Sequence, residues 1–125
     1  FISQALRGEP LTVHGDGSQT RSFCHVSDQV AGLTALLDHT AIGPVNIGNP
    51  VEFTVVALAE LVIEMTGSTS RVEHVPLPPE RTGDPAQRRP DVSLARSLLD
   101  WEPTVSLREG LVGMIDHFRS IESVA

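Results

Sequence analysis

The chain has 125 residues, of which 40% are hydrophobic and 20% charged, and its formal net charge is −7. That length suits one domain spanning 1–125, the composition is that of a globular chain, and the acidity excludes a general nucleic-acid binder, which needs a basic face. No apolar run approaches the ~20 residues of a membrane span, and Phe1–Leu11, with Arg7 and Glu9 and no long apolar core, is not a signal peptide.

Taken in order, Phe1, Ile2, Ala5 and Leu6 have the spacing of a short helix, with Gly8 as its left-handed stop and Pro10 closing it off. Leu11–Val13 is a strand candidate, Gly15-Asp16-Gly17 a turn that taken alone reads as a hairpin, and Arg21–Val26 an extended segment. Ser27 or Asp28 is a good N-cap for a helix whose stripe is Val30, Leu33, Leu36 and Leu37. Gly43-Pro44 breaks the chain before Val45–Ile47, a short strand that wants a neighbour. Thr54 caps a second long helix with the stripe Leu58, Leu61, Val62 and Met65, and Gly67 stops it. Arg71–Leu77 reads as a strand running into Pro78–Pro90, too proline-rich for a regular helix or a central strand. Asp91 or Ser93 opens a helix bearing Leu94, Ala95, Leu98 and Leu99. Ser106 and Glu109 have capping-box spacing and open the last helix. The pattern predicts about five helices and three or four short strands, too separated to make a self-sufficient sheet.

Few residues here suit catalysis. None of His14, His25, His39, His74 and His117 has a His or Cys partner at ligand spacing, so no metal site is expected and each reads as solvated or core. Cys24 sits between Phe23 and His25, and neighbours on an extended segment face opposite ways, so it reads as a small buried hydrophobe rather than a nucleophile. As the only cysteine it forms no internal disulfide, which fits a reducing cytoplasm. No serine lies in a nucleophile elbow, and no glycine pattern makes a phosphate loop or a dinucleotide fingerprint. Arginine is more telling, since all nine basic residues are arginine. Arg21 follows the glycine turn, and Arg81, Arg88 and Arg89 lie in the proline-rich loop. The planar guanidinium suits phosphate oxygens, so arginines brought together by two loops would make a local anion site in an acidic chain; the plain alternative is a solvated surface arginine.

Three runs in this order carry a resemblance: GEPLTVHGDGSQTRSFCHVSD, GPVNIGNPVEFTVVALAELV and DPAQRRPDVSLARSLLDWEPTVSLREGL. They closely resemble the C-terminal region of UDP-glucuronate decarboxylases, from Phe1 to about Arg119. These enzymes belong to the extended short-chain dehydrogenase/reductase family, with the dTDP-glucose 4,6-dehydratases and UDP-sugar 4-epimerases. The resemblance implies an α/β fold: the C-terminal substrate-binding part of such an enzyme, helix-rich with a few short strands, its Rossmann half missing. It implies that the strand bearing Thr12 and His14 lies along the nucleotide base. Arg21, in the Gln19-Thr20-Arg21 run, and Arg88 would contact the diphosphate. Arg81 and Asp84 match the R-x-x-D that epimerases use on phosphate and ribose, and Trp101 is a core anchor. Two positions depart from the pattern: His14 replaces a Tyr or Phe, and Asp100 replaces a Gly.

The resemblance also implies what is absent. The family keeps its dinucleotide glycines and its catalytic Tyr-x-x-x-Lys in the N-terminal half, and this chain has neither tyrosine nor lysine. The family reaction oxidises the sugar C4 hydroxyl with NAD, loses CO₂ from the keto acid and returns the hydride. We therefore expect NAD in the full-length parent, none bound by this chain alone, no catalytic residue here, and truncation upstream of Phe1. The expected partners are a UDP-sugar and either the missing half or another copy of the chain, in a homo-oligomer. In the family, Val45–Ile47 joins the sheet of the other half, so the stripes of the two long helices are expected to be exposed in this chain alone. A stand-alone, non-catalytic nucleotide-sugar-binding module is the alternative from a different class.

Overall fold

In the computed structural model, which describes residues 1–40 and 43–122, two small sheets lie among five α-helices. The first sheet pairs β1 (Leu11–His14) with β4 (Val72–Val75) in parallel, from Leu11 opposite Val72 to His14 opposite Val75. The second has the order β3-β2-β5, with β2 (Thr20–Ser22) antiparallel to β3 (Glu52–Thr54) and parallel to β5 (Gln87–Arg88). The α/β architecture expected from the sequence is thus present.

β1 alternates strictly. Leu11 and Val13 are fully buried, while Thr12 and His14 stay partly accessible on the opposite face. The buried face packs on α1 (Ile2–Leu6), α3 (Val55–Thr66) and α5 (Leu107–Glu122) through Ile2, Ala5, Ala59, Val62, Leu111 and Ile115. The helices end where local chemistry says they should. Thr54 Oγ1 accepts from Ala57 N–H at 3.1 Å to cap α3, and Gly67 leaves it at φ 66°. Ser106 and Glu109 close their box reciprocally: Ser106 N–H donates to Glu109 Oε2 at 2.9 Å and Glu109 N–H to Ser106 Oγ at 3.3 Å.

A second, smaller core forms where Trp101 meets Val92, Ala95, Val45 and Ile47 beneath α2 (Val26–Leu37). Gly32 is what lets α2 approach: a Cβ there would lie 2.9 Å from the indole and 2.5 Å from Ile47. Trp101 Nε1–H donates to the Asp28 carbonyl at 3.2 Å, while the buried Asp28 carboxylate accepts from Thr104 N–H, Thr104 Oγ1 and Val105 N–H at 3.1, 3.0 and 2.9 Å. One residue of α2 thereby fastens the segment that leads into α5.

Three expectations are corrected. Gly15-Asp16-Gly17 does not close a hairpin, because β1 and β2 belong to different sheets; it carries the chain from one sheet to the other. The N-cap of α2 is neither Ser27 nor Asp28 but His25, whose Nδ1 accepts from Ser27 N–H at 3.3 Å, which frees Asp28 for the staple just described. Val45–Ile47, expected to pair with the other half, joins no sheet among the described residues, and Val45 and Ile47 pack on the Trp101 core. Of the two helix stripes expected to lie open, only that of α2 does: Val30, Leu33 and Leu37 are 56%, 47% and 85% exposed, whereas Val62 of α3 is buried and Leu58, Leu61 and Met65 pack against the first core.

The Asp28 staple dictates a stability effect. Burial opposes its ionisation, but the hydrogen bonds from Val105 and Thr104 and the nearby His25 outweigh burial and hold its carboxyl below the usual value. A depressed folded-state pKa means the contribution is complete above the unfolded value of ~3.9 and disappears as the pH falls through the folded value. Asp28→Ala should lower unfolding free energy by about 3 kcal/mol at neutral pH, measured by urea titration, with the gap to wild type closing in acid.

Asp100 ends α4 (Ser93–Leu99) at φ 50°, the only non-glycine at positive φ among the described residues. It adopts the left-handed conformation that the glycine of the family pattern would take without strain, and it sets a negative charge at a helix C-terminus. Asp100→Gly should raise stability by about 0.5 kcal/mol, read as a small upward shift in the thermal midpoint; the gain is limited by the freedom glycine adds to the unfolded chain.

Candidate functional site

The accessible face of β1 forms one wall of a cleft of about 670 Å³ whose other walls are β2 and the proline-rich loop. All seven residues singled out from the sequence, Thr12, His14, Gln19, Arg21, Arg81, Asp84 and Arg88, line it. Each is held by identifiable contacts. Gln4 of α1 grips Thr12 from both sides of its amide: Nε2–H donates to Thr12 Oγ1 at 2.9 Å and Oε1 accepts from Thr12 N–H at 3.3 Å. His14 Nδ1 lies 3.5 Å from the Pro76 carbonyl, and the His14 carbonyl accepts from Gln19 Nε2 at 3.1 Å.

The turn between the sheets is stiffened from within. Asp16 Oδ1 accepts from Ser18 N–H at 2.9 Å and from Ser18 Oγ at 2.7 Å, bonds that keep its carboxyl below the ordinary range. Gly17 is buried at φ 73°, and a Cβ there would stand 2.8 Å from Val13. The residue type at this position is therefore fixed both by the backbone and by the closeness of the first core.

The electrostatic centre of the cleft comes from the register of the second sheet. Arg21 on β2 stands directly opposite Arg88 on β5. Neighbouring strands are ~4.8 Å apart, so the two guanidinium-bearing side chains leave the backbone side by side on one face. Arg21 Nη1–H donates to the Thr20 carbonyl at 2.7 Å and the Pro85 carbonyl at 3.1 Å, which ties β2 to the loop and leaves its remaining donors for a ligand. A one-turn 3₁₀ helix, Pro79–Arg81, shapes the loop; Asp84 N–H donates to the Arg81 carbonyl at 3.0 Å, and Asp84 Oδ1 lies 3.8 Å from Arg88 Nη2. Three arginines face two carboxylates, Asp16 and Asp84, giving the cleft a local cationic balance within an acidic chain.

Sequence reasoning missed other contributors. Phe1 and Leu77 add apolar surface to the cleft, and Leu77 is 45% exposed. Leu77 was visible as the end of the alternating run Arg71–Leu77, but its place beside His14 depends on β4 pairing with β1. Arg89, considered with the other loop arginines, lies outside the cleft and approaches Glu52 Oε2 at 3.8 Å. Cys24 is half-buried, and burial together with the Asp28 charge pushes its thiol pKa up, opposite to a nucleophile's requirement. Among the described residues no group of three or more His, Cys, Asp and Glu is placed to hold a metal ion. The Gly15–Gly17 turn runs from strand to strand rather than opening a helix, so it is not a dinucleotide fingerprint, and the sequence contains no Tyr-x-x-x-Lys.

Comparison with known proteins places the chain in a family. Residues 1–114 match the family model described as GDP-mannose 4,6 dehydratase. UDP-glucuronic acid decarboxylase 3 of Arabidopsis thaliana is 54% identical over 119 residues, covering 95% of this chain and 34% of the relative. UDP-glucuronic acid decarboxylase 1 of Danio rerio is 48% identical over 126 residues, covering 100% of this chain and 29% of the relative. The chain thus spans about a third of the length of these relatives. Among solved structures, UDP-glucuronic acid 4-epimerase from Bacillus cereus, in complex with UDP-glucuronic acid and NAD, superposes with a TM-score of 0.86 at 32% identity, over 96% of this chain and 38% of that one. An epimerase from Methanothermobacter thermautotrophicus gives a TM-score of 0.89 at 33% identity, over 98% and 37%. The chain belongs to the GDP-mannose 4,6-dehydratase family, as a UDP-glucuronate decarboxylase-like C-terminal region of an extended short-chain dehydrogenase/reductase.

Proposed function

We propose that this chain is the nucleotide-sugar-binding part of an NAD-dependent UDP-glucuronate decarboxylase-like enzyme, and that by itself it turns nothing over. The observation that carries this reading is the Arg21–Arg88 pair on one sheet face, in a cleft lined by the other five residues of the family pattern. Arg21 and Arg88 neutralise the diphosphate, Arg81 adds a third cation, and Asp84 accepts from a ribose hydroxyl. Thr12, His14 and Gln19 line the base, with His14 offering a smaller stacking surface than a Tyr or Phe. NAD and the acid/base pair of the parent belong to the remaining two-thirds of the enzyme. The decarboxylase branch is preferred on the identity of 54% to such an enzyme over almost the whole chain, against 32% for the 4-epimerase. A cytoplasmic parent suits the single free cysteine.

The open α2 face has a partner in this reading. Val26, Val30, Leu33 and Leu37 form an exposed apolar stripe. The remainder of the enzyme covers it in the parent, and a second copy covers it in the isolated chain, because such patches seldom persist on monomers.

Two measurements test these statements. Calorimetric titration of the purified chain with UDP should show binding that weakens as salt is raised and falls at least tenfold in Arg21→Ala, the scale of one charge-assisted bond. Arg88→Ala should do the same without cutting the Arg21 tie to Pro85. Binding insensitive to both substitutions would overturn the arginine assignment. Light scattering should show a dimer or larger species, with Leu33→Asp plus Leu37→Asp returning the chain to monomer; a wild-type monomer at tens of micromolar would remove the case for self-association.

A further inference from the structure

We propose that Glu52, which does not line the cleft, is a positioning residue whose carboxylate straps β5 to β2 and so sets Arg88 beside Arg21. The ligand-binding part of this proposal rests on the function proposed above; the positioning itself does not.

Two residues per strand cannot hold a proline-rich loop by backbone pairing alone. β5 contributes only Gln87 and Arg88, paired with Thr20 and Arg21. The pairing also places like charges opposite each other, which disfavours it. The Arg21 bond to the Pro85 carbonyl holds the loop from the cleft side, and the sheet's other face supplies a second hold. Glu52 stands opposite Ser22 in the β2–β3 ladder, so it shares a face with Thr20 and Gln87, and Arg21 and Arg88 lie on the reverse. From β3 the Glu52 carboxylate reaches over the central strand. Its Oε1 accepts from Thr20 Oγ1 at 2.7 Å, and both oxygens accept from Gln87 Nε2 at 2.8 Å. Arg89 Nη1 lies 3.8 Å from Oε2. These contacts, led by the Thr20 hydroxyl and then the Gln87 amide, hold the Glu52 carboxyl below the ordinary range, as befits a carboxylate used in its charged form. One side chain of β3 therefore grips both strands that carry the paired arginines, on the face the ligand does not see.

The geometry suggests a rescue experiment. Glu52→Ala removes the strap. Gln87→Glu sets two carboxylates against each other across β2. The double variant Glu52→Gln with Gln87→Glu restores an amide-to-carboxylate bond with the roles exchanged, and Thr20 can still donate. Two readouts are taken on the whole chain: calorimetric affinity for UDP, and hydrogen exchange of the Thr20 amide, whose N–H donates to the Ala86 carbonyl at 2.9 Å. Each single variant should weaken UDP binding about tenfold and speed Thr20 exchange by a similar factor, and the double variant should bring both back to within about threefold of wild type. A merely structural loss would not be reversed by the exchange of roles. The proposal is overturned if Glu52→Ala leaves Thr20 exchange unchanged, or if the double variant fares no better than the singles. If the wild-type chain fails to bind UDP, the proposed function of the isolated chain fails, and the exchange measurements alone decide whether Glu52 positions β5.

Discussion

The cleft depends on an arrangement that disfavours itself: two arginines opposite each other on a parallel ladder two residue pairs long. Like charges at adjacent strand positions repel, and the ladder has little backbone bonding with which to resist. The surroundings compensate at several points. The Pro85 carbonyl accepts from Arg21, the Asp84 carboxylate lies 3.8 Å from Arg88, and Glu52 draws the two strands together from behind. An anion placed between the guanidinium groups would relieve the remaining repulsion. Poised charge of this kind distinguishes the candidate site from scattered surface arginines such as Arg7 and Arg108, each already joined to a glutamate at 2.8 Å.

The pair stands beside a strand that the first core packs on its other face. Burying Leu11 and Val13 leaves Thr12 and His14 in the cleft, because side chains along a strand alternate. Gly17, packed against Val13 and Val56, then hands the chain across to the second sheet without a gap. Packing and site are therefore coupled through one short turn. The second core, around Trp101 and Asp28, does different work: it anchors α2 and the approach to α5 while leaving the outer face of α2 open. The chain is well packed where it shapes the cleft and exposed on α2, which matches a chain spanning about a third of its relatives' length.

Local chemistry was legible in the sequence, and non-local pairing was not. The Thr54 cap, the Gly67 stop and the Ser106–Glu109 box each depend on residues within four positions of one another, and each stands where the pattern puts it. The supposed hairpin at Gly15–Gly17 went wrong because a turn signal reports a reversal but not which strand comes to lie alongside. β1 takes a partner 61 positions away at Leu11–Val72. The cap of α2 went wrong for a related reason. Asp28 is an excellent capping residue by type, but Thr104 and Val105 claim its oxygens from across the fold. The seven cleft residues came from resemblance to a family. The physics of arginine and phosphate indicated only that some of the loop arginines would matter, and it did not separate Arg88 from Arg89.

That separation is a matter of strand parity. Arg88 and Arg89 are adjacent, identical in chemistry and both exposed. On an extended segment adjacent side chains take opposite faces, so only one can join Arg21. Once Gln87 is paired with Thr20, Arg88 falls opposite Arg21 and turns to the cleft, while Arg89 turns towards Glu52 on the other side. Shifting the β5 register by one residue would set Arg89 or Gln87 opposite Arg21 and turn Arg88 to the other face, as any one-residue slip of a strand exchanges its faces. The contacts that set this register are the Gln87 amide and the Glu52 carboxylate, neither of which lines the cleft. Which of two like arginines faces the cleft is thus decided on the opposite side of the sheet.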